Sequence, residues 1–82
     1  MVIDEWRKEF SRRVHYKMNE RGWGVRKTAK ESGLSVMTIS KYVNAIVVPH
    51  VSEVLKLAKT FDVRPSYFVD FEEEVITDAE WI

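Results

Sequence analysis

The chain contains no cysteine among its 82 residues, which excludes a disulfide framework and any zinc site with thiolate ligands. Its two histidines, His15 and His50, lie far apart with no ligand-spaced partner, so we expect no metal and no cofactor. No apolar run approaches the roughly 18 residues that a membrane span requires, and no basic-then-apolar signal stretch opens the sequence. These absences predict a cytoplasmic protein without membrane contact.

No low-complexity stretch and no internal repeat divides the chain. Eighty-two residues are close to the smallest size at which one hydrophobic core suffices, so we expect one small domain. The sequence also lacks a carboxylate pair, a nucleophile beside a base, and a phosphate-binding glycine-rich loop at usable spacings. We therefore expect a protein that is not an enzyme.

Charge is plentiful, but it is unevenly distributed along a chain whose formal net charge is zero. Residues 1–61 carry twelve Lys and Arg against six Asp and Glu, a net charge of +6. Residues 62–82 carry one Arg against seven acidic residues, a net charge of −6. A basic body followed by an acidic tail indicates an anionic partner for the body, so overall neutrality does not exclude nucleic acid.

The spacing of apolar residues predicts an all-α fold. A first helix is expected from Asp4 to about Arg21, with Asp4 as its N-cap and Gly22 at its end. Its apolar stripe repeats every four residues, through Trp6, Phe10, Val14 and Met18. Arg13 and two other cations lie off that stripe.

Two further helices are predicted after the middle of the chain. Pro49 disfavours helix in the preceding loop, so a fourth helix is expected over Val51 to Phe61. Its predicted core-facing residues are Val51, Val54, Leu55, Ala58 and Phe61. A short fifth helix is expected from about Pro65 to Val69, with Phe68 in the core. Trp23, between two glycines, is predicted to pack against the core.

Residues 25–44, VRKTAKESGLSVMTISKYVN, predict two short helices joined by a tight turn. The first runs from Val25 to Ser32 and stops at Gly33, which accepts a left-handed backbone without a Cβ penalty. Ser35 can then cap a helix from Val36 to Asn44. The inner face of that helix would carry Ile39, Tyr42 and Val43. The outer face would carry Val36, Met37, Ser40 and Lys41. This is the arrangement of a helix-turn-helix.

The segment from GLSVMTISKYVN, through a loop with Pro49, to VSEVLKLAKTFDVRPSYF resembles the Cro/C1-type (Xre, lambda-repressor-like) helix-turn-helix domains. That family includes phage repressors, Cro proteins and antitoxins. The matching residues are Ala29, Gly33, Ser35, Ile39, Pro49, Leu57, Ala58, Lys59 and Val63. The resemblance implies a compact five-helix DNA-binding domain over residues 1–69, followed by an acidic tail over residues 70–82. The family's glycine after the second helix of the motif is Ala45 here.

The resemblance further implies a sequence-specific transcriptional regulator, a phage or prophage repressor or Cro-like protein that binds double-stranded DNA as a homodimer. Helix 36–44 would be the recognition helix in the major groove. The base-contacting positions would be Ser35, Val36, Met37 and Lys41. Lys41 could donate to guanine or neutralise a phosphate, whereas Val36 and Met37 could only read shape or the thymine methyl group. Alternatively, Val36 and Met37 pack on a neighbouring protein.

Four residues are predicted to contact DNA phosphates: Arg26, Lys27, Thr38 and Asn44. Arg26 and Lys27 stand at the N-terminus of the second helix, where backbone N–H groups also favour an anion. The same two cations could instead form a solvated face, and Asn44 could be a plain C-cap.

An alternative function is a protein-interaction module of the same fold, such as an antitoxin or a repressor domain that captures a partner through its acidic tail. The tail itself has three interpretations. It could be disordered, it could self-associate through Trp81 and Ile82, or it could cover the basic face and compete with DNA.

Overall fold

The computed structural model describes residues 2–70, which form five α-helices and no β-strand. The helices are α1 (Ile3–Arg21), α2 (Val25–Ser32), α3 (Val36–Val43), α4 (Val51–Phe61) and α5 (Ser66–Val69). The predicted all-α, five-helix architecture is therefore confirmed. Of the acidic tail, only Asp70 belongs to the described residues, so the three interpretations of the tail lie outside them. Within residues 2–70, none of the helices combines the length and the apolarity that crossing a bilayer demands.

The apolar stripe of α1 faces the core as predicted. Phe10, Val14 and Met18 are buried, and Trp6 is half-buried with its ring stacked on Phe10 at a centroid distance of 5.7 Å. Gly22 ends the helix in the left-handed conformation, with φ of 69°. These residues hold α1 against the rest of the domain because one continuous face of the helix is apolar.

The predicted N-cap of α1 is wrong by two residues. Val2 occupies the N-cap position, and its backbone N–H donates a hydrogen bond to the Glu5 carboxylate at 3.3 Å. Asp4 lies inside the first turn, where its carboxylate pairs with Arg7 at 2.5 Å. An acidic residue in the first turn is still favourable there, because it faces the positive end of the helix dipole.

Aromatic side chains from four helices meet in the core. Phe10 of α1 contacts Tyr42 of α3 and Phe68 of α5 edge-on, at centroid distances of 5.3 and 6.1 Å. Phe68 in turn lies 6.3 Å from Phe61 of α4. Each fully buried side chain of this size contributes about 1.5–3 kcal/mol, so this cluster is the main link between the helices. Trp23 packs against Phe61 at 5.4 Å, as predicted.

The predicted core face of α4 is partly wrong. Val51 and Leu55 are exposed over 76% and 51% of their surfaces, whereas Leu57 is fully buried. The residues that α4 buries are Val54, Leu57, Ala58 and Phe61. The observed set and the predicted set both follow a spacing of three and four residues, which is typical of one face of a helix. Periodicity alone does not show which of two adjacent apolar faces of a helix is buried.

Arg13 lies off the apolar stripe of α1 but is only 5% exposed. Its Nε donates to Glu9 Oε2 at 2.8 Å, and its Nη1 donates to the backbone carbonyl of Tyr67, also at 2.8 Å. The guanidinium also lies 5.4 Å from the centre of the Tyr67 ring. A buried cation is tolerated only when it is paired, and here the partners come from α1 and α5. Arg13 therefore fastens the short last helix to the first.

Candidate nucleic-acid interface

The turn between α2 and α3 is built as the sequence predicts. Gly33 ends α2 with φ of 77°, and its N–H donates to the Ala29 carbonyl at 3.0 Å. No atom lies within 4 Å of the position that a Cβ would take there, so the backbone angle rather than lack of space favours glycine. Ser35 caps α3, since its Oγ accepts a hydrogen bond from the N–H of Thr38 at 3.0 Å.

The inner face of α3 is anchored on three sides. Ile39 and Tyr42 are buried in the core. The Ser11 hydroxyl of α1 donates to the carbonyl of Val43 at 2.8 Å. The Tyr42 hydroxyl donates to the Glu53 carboxylate of α4. Because these contacts fix the rotation of the helix about its axis, they also fix which residues face outward.

The outer face of α3 carries the residues predicted to contact bases. Val36 is 45% exposed, Met37 is 66% exposed, and both Ser35 and Lys41 are exposed. On a helix of 3.6 residues per turn, positions 36, 37, 40 and 41 occupy one face, opposite Ile39 and Tyr42. The structure therefore brings Val36, Met37 and Lys41 to one surface, and Ser35 is exposed at the start of the helix.

Lys41 stands at the edge of a shallow depression beside α3. The depression has a volume of about 260 Å³ and lies between α3 and the loop that leads to α4. Its lining consists of Thr38, Lys41, Tyr42, Val47, Val48, His50 and Glu53. Lys41 forms no ion pair with any residue from 2 to 70, so its ammonium group is available to an external anion.

The two cations predicted at the start of α2 differ in their surroundings. Arg26 is exposed and pairs with no side chain in the described part of the chain. Lys27 is half-exposed and forms an ion pair with Glu31 one turn later, at 3.1 Å. A surface pair of this kind contributes roughly 0.2–1 kcal/mol and exchanges readily for a phosphate. Both cations therefore remain able to meet a backbone phosphate near the N-terminus of α2.

Thr38 and Asn44, the other predicted phosphate contacts, are engaged within α3. The Thr38 hydroxyl accepts a hydrogen bond from Ser35 Oγ at 2.8 Å, and the Thr38 side chain is half-buried. Asn44 is the C-cap of α3, and its Nδ2 donates to the Ser40 carbonyl at 2.8 Å. The capping role left open by the sequence is therefore present in the structure.

The hydrogen bond between Tyr42 and Glu53 was not predicted from the sequence. Burial first, and then the neighbouring carboxylate, raise the pKa of the Tyr42 hydroxyl. The hydrogen bond from Tyr42 is the largest cause that lowers the pKa of Glu53, and the backbone N–H of His50, at 3.2 Å, acts in the same direction. Glu53 three residues after the N-cap of α4 is a recognisable capping position, but its bond to Tyr42 depends on tertiary packing.

The loop after α3 contains one strained residue. Ala45 has φ of 58°, in the left-handed region, and its N–H donates to the carbonyl of Tyr42 at 3.1 Å. A side chain with a Cβ costs energy in that conformation. The glycine expected from the family resemblance would relieve this strain.

Comparison with solved structures supports the assignment of the fold. The crystal structure of an HTH_3 family transcriptional regulator from Vibrio cholerae is similar to this chain, with a TM-score of 0.79 at 14% sequence identity. The match covers 94% of this chain and 43% of the regulator, so this chain spans less than half of that protein's length. At this identity the likeness establishes the fold alone. No curated protein matches the sequence.

The sequence itself carries the family assignment. Residues 14–68, which include α2, α3, α4, the last eight residues of α1 and most of α5, match the model of the helix-turn-helix family HTH_3. The matched stretch includes the Gly33 turn, the Ser35 cap and the outward face of α3. The chain therefore belongs to HTH_3, the Cro/C1-type helix-turn-helix family.

Proposed function

We propose that this protein is a sequence-specific transcriptional regulator of the phage or prophage repressor or Cro type, which inserts α3 into the major groove of double-stranded DNA. The observation that carries the proposal is the two-sided character of α3. Ile39 and Tyr42 fix its inner side in the core, while Val36, Met37 and Lys41 share its outer side. A helix held rigidly on one face with exposed residues on the other suits groove binding.

The outer residues of α3 supply different kinds of base contact. Lys41 donates to O6 and N7 of a guanine, the commonest specific contact to that base. Val36 and Met37 offer only carbon and sulfur surfaces, so they pack against thymine methyl groups. The Ser35 hydroxyl adds a small polar contact beside the cap that it forms for α3. This combination favours an operator half-site that contains both guanine and thymine.

Phosphate contacts orient the helix in the groove without specifying sequence. Arg26 and Lys27 neutralise phosphates near the N-terminus of α2, together with the free backbone N–H groups of that helix. Thr38 and Asn44 contact the backbone at the two ends of α3. Two copies bound as a homodimer would place their α3 helices in half-sites about 34 Å apart.

Selection of bound duplexes from a random DNA pool tests this proposal. We expect an enriched sequence with two related half-sites, and Lys41→Ala should weaken binding to it by about 1–3 kcal/mol. Lys59→Ala removes the same charge from the last turn of α4 and serves as the matched control, with a small effect expected. Failure to enrich any sequence would contradict specific recognition, and equal losses for both variants would remove Lys41 from the base contacts.

A further inference from the structure

An apolar groove crosses the surface formed by the start of α1, the loop before α4, α4 itself and α5. Its volume is about 300 Å³, and every residue that lines it is apolar. Its lining includes Trp6, Val48, Val51, Leu55, Pro65 and Val69. This groove contributes nothing to the outer face of α3, which carries the proposed DNA contacts.

The apolar side chains of this groove are open to solvent to an unusual degree. Val51 is the most exposed large apolar residue in the described part of the chain, and Leu55, Val48 and Val69 are also exposed. Scattered apolar residues are normal on protein surfaces, but a contiguous patch in a concave site indicates a binding surface. The groove is therefore a candidate docking surface.

The end of the described chain lies at this groove. Val69, the last residue of α5, is part of the lining, and Asp70 follows it directly. Residues 71–82, FEEEVITDAEWI, continue from that point and reach about 40 Å if fully extended. A short tether of this kind gives the segment an effective concentration of about millimolar at the groove, without any partner molecule.

The composition of residues 71–82 matches what the groove and its border offer. The segment supplies five large apolar side chains: Phe71, Val75, Ile76, Trp81 and Ile82. It also carries five carboxylates, and no acidic residue lines the groove. Arg64, which directly precedes Pro65 in the sequence, is exposed, lines a different depression and forms no ion pair with residues 2–70. The apolar side chains of the segment thus match an apolar groove at which the described chain ends.

We propose that residues 71–82 of the same chain dock into this groove, with their apolar side chains on Val51, Leu55 and Val69. The segment acts as an intramolecular cover for an apolar surface that α4 and α5 leave open. Val51 and Leu55 were predicted to lie in the core, and this prediction was wrong because both residues line the groove.

A spin label on the full-length chain tests the proposal without DNA. The protein has no cysteine, so Thr77→Cys provides a single attachment site for a nitroxide. We expect a severalfold loss of methyl signal intensity at Val51, Leu55 and Val69 in the NMR spectrum. The methyl groups of Val36 and Met37, on the outer face of α3, should keep their intensity.

Two variants keep the test specific. Leu55→Asp places a charge in the groove, and because Leu55 is half-exposed, the change leaves the core filled. It should restore the methyl signals of Val51 and Val69. Met37→Asp is the matched control on another exposed apolar residue and should leave the broadening unchanged. The proposal would be overturned if the methyl signals of Val51 and Val69 kept their full intensity in the spin-labelled protein that retains Leu55.

A mixed sample distinguishes this segment from that of a second copy. Spin-labelled chains without isotope are combined with isotope-labelled chains without a nitroxide. Unaffected methyl signals in the mixture support intramolecular docking. Broadening at Val51 and Val69 in the mixture would show that a neighbouring molecule covers the groove, and would overturn the proposal.

Discussion

Tyr42 connects the core to the surface through a single hydroxyl group. Its ring contacts Phe10 in the core, while its O–H reaches the Glu53 carboxylate at the edge of α4. The bond favours ionised Glu53, whose pKa is lowered, and neutral Tyr42, whose pKa is raised. The stability contributed by Glu53 is present above its unfolded-state pKa and is lost as the pH falls through its lowered value. The contribution of Tyr42 is lost only in strongly alkaline solution.

Replacing Tyr42 with Phe removes this bond and retains the ring. We expect the free energy of unfolding at neutral pH to fall by about 1 kcal/mol, because a hydrogen bond to a partly exposed carboxylate is lost. The difference from the unsubstituted protein should shrink in acid, where Glu53 is protonated in both. Urea unfolding followed over a series of pH values measures this, and Tyr16→Phe, at an exposed tyrosine, is the control. A deficit that persists unchanged in acid would argue against the carboxylate as the partner.

The backbone conformation of Ala45 lowers the stability of the folded protein. Its φ of 58° is favourable for glycine and unfavourable for a residue with a Cβ. We expect Ala45→Gly to raise the free energy of unfolding by up to about 1 kcal/mol, with part of the relief offset by the greater freedom of glycine in the unfolded chain.

Two glycines, Gly33 and Gly24, provide the matched comparisons for Ala45. Gly33→Ala introduces the same strain at φ of 77° and should destabilise, although no atom obstructs the new Cβ. Gly24→Ala, at the N-cap of α2 with φ of −89°, introduces no such strain and should destabilise less than Gly33→Ala. Thermal unfolding of the three variants measures the pattern. A destabilised Ala45→Gly protein would show that unfolded-state entropy outweighs the strain.

At the scale of the element, α4 shows that one helix can present two different apolar surfaces. Val54, Leu57, Ala58 and Phe61 face the core. Val51 and Leu55 line the groove instead. Leu55 and Leu57 are two positions apart, yet Leu57 is buried in the core and Leu55 lines the groove. Helix propensity does not distinguish the two positions, because leucine is favourable in a helix at either one.

Truncation of the two leucines separates these environments. Leu57→Ala should lower the free energy of unfolding by about 2–5 kcal/mol, because it removes fully buried methyl groups and leaves a cavity. Leu55→Ala should cost less, about 0.5–1 kcal/mol, since its surface is already half-exposed in residues 2–70. Denaturant unfolding of both variants measures the ratio. Equal losses would mean that Leu55 is as well packed as Leu57 in the full chain.

For the whole molecule, the separation of charge matters more than the formal net charge of zero. The basic residues of the body include the cations proposed to meet phosphates, and the acidic residues are concentrated after position 61. A protein that binds DNA through such cations releases counterions on binding, so its affinity falls with added salt. Overall neutrality therefore does not weaken the proposal of DNA binding.

The salt dependence of DNA binding tests the role of Arg26. The logarithm of the binding constant should fall linearly with the logarithm of salt concentration, and Arg26→Ala should make that slope shallower by about 1, the loss of one phosphate contact. Val36→Ala is the control, because it removes a proposed base contact without a charge and should weaken binding at an unchanged slope. Fluorescence titrations at several salt concentrations provide the slopes. An unchanged slope for Arg26→Ala would exclude it from the phosphate contacts.

Much of the fold could be predicted because its determinants are local. The bounds of α2 and α4, the turn at Gly33, the cap at Ser35 and the buried face of α3 depend on residues within a few positions of each other. Glycine at a left-handed position, a hydroxyl at an N-cap and apolar residues at helical spacing act before tertiary contacts form. The outward position of Val36, Met37 and Lys41 was predicted on the same basis, because Gly33 and Ser35 set the register of α3, whereas their role in DNA contact was implied by the family resemblance.

Other features required the assembled chain, because they depend on what each helix meets. Burial of Arg13 needs Tyr67 of α5, distant in sequence, and the lowered pKa of Glu53 needs Tyr42 of α3. Which apolar stripe of α4 became core was decided by the position of the aromatic cluster. The sequence by itself thus determined the bounds of α2 and α4 and the residues that α3 displays. The tertiary structure decided which charges are buried and which apolar surface stays open, because burial is a property of neighbours in space rather than in sequence.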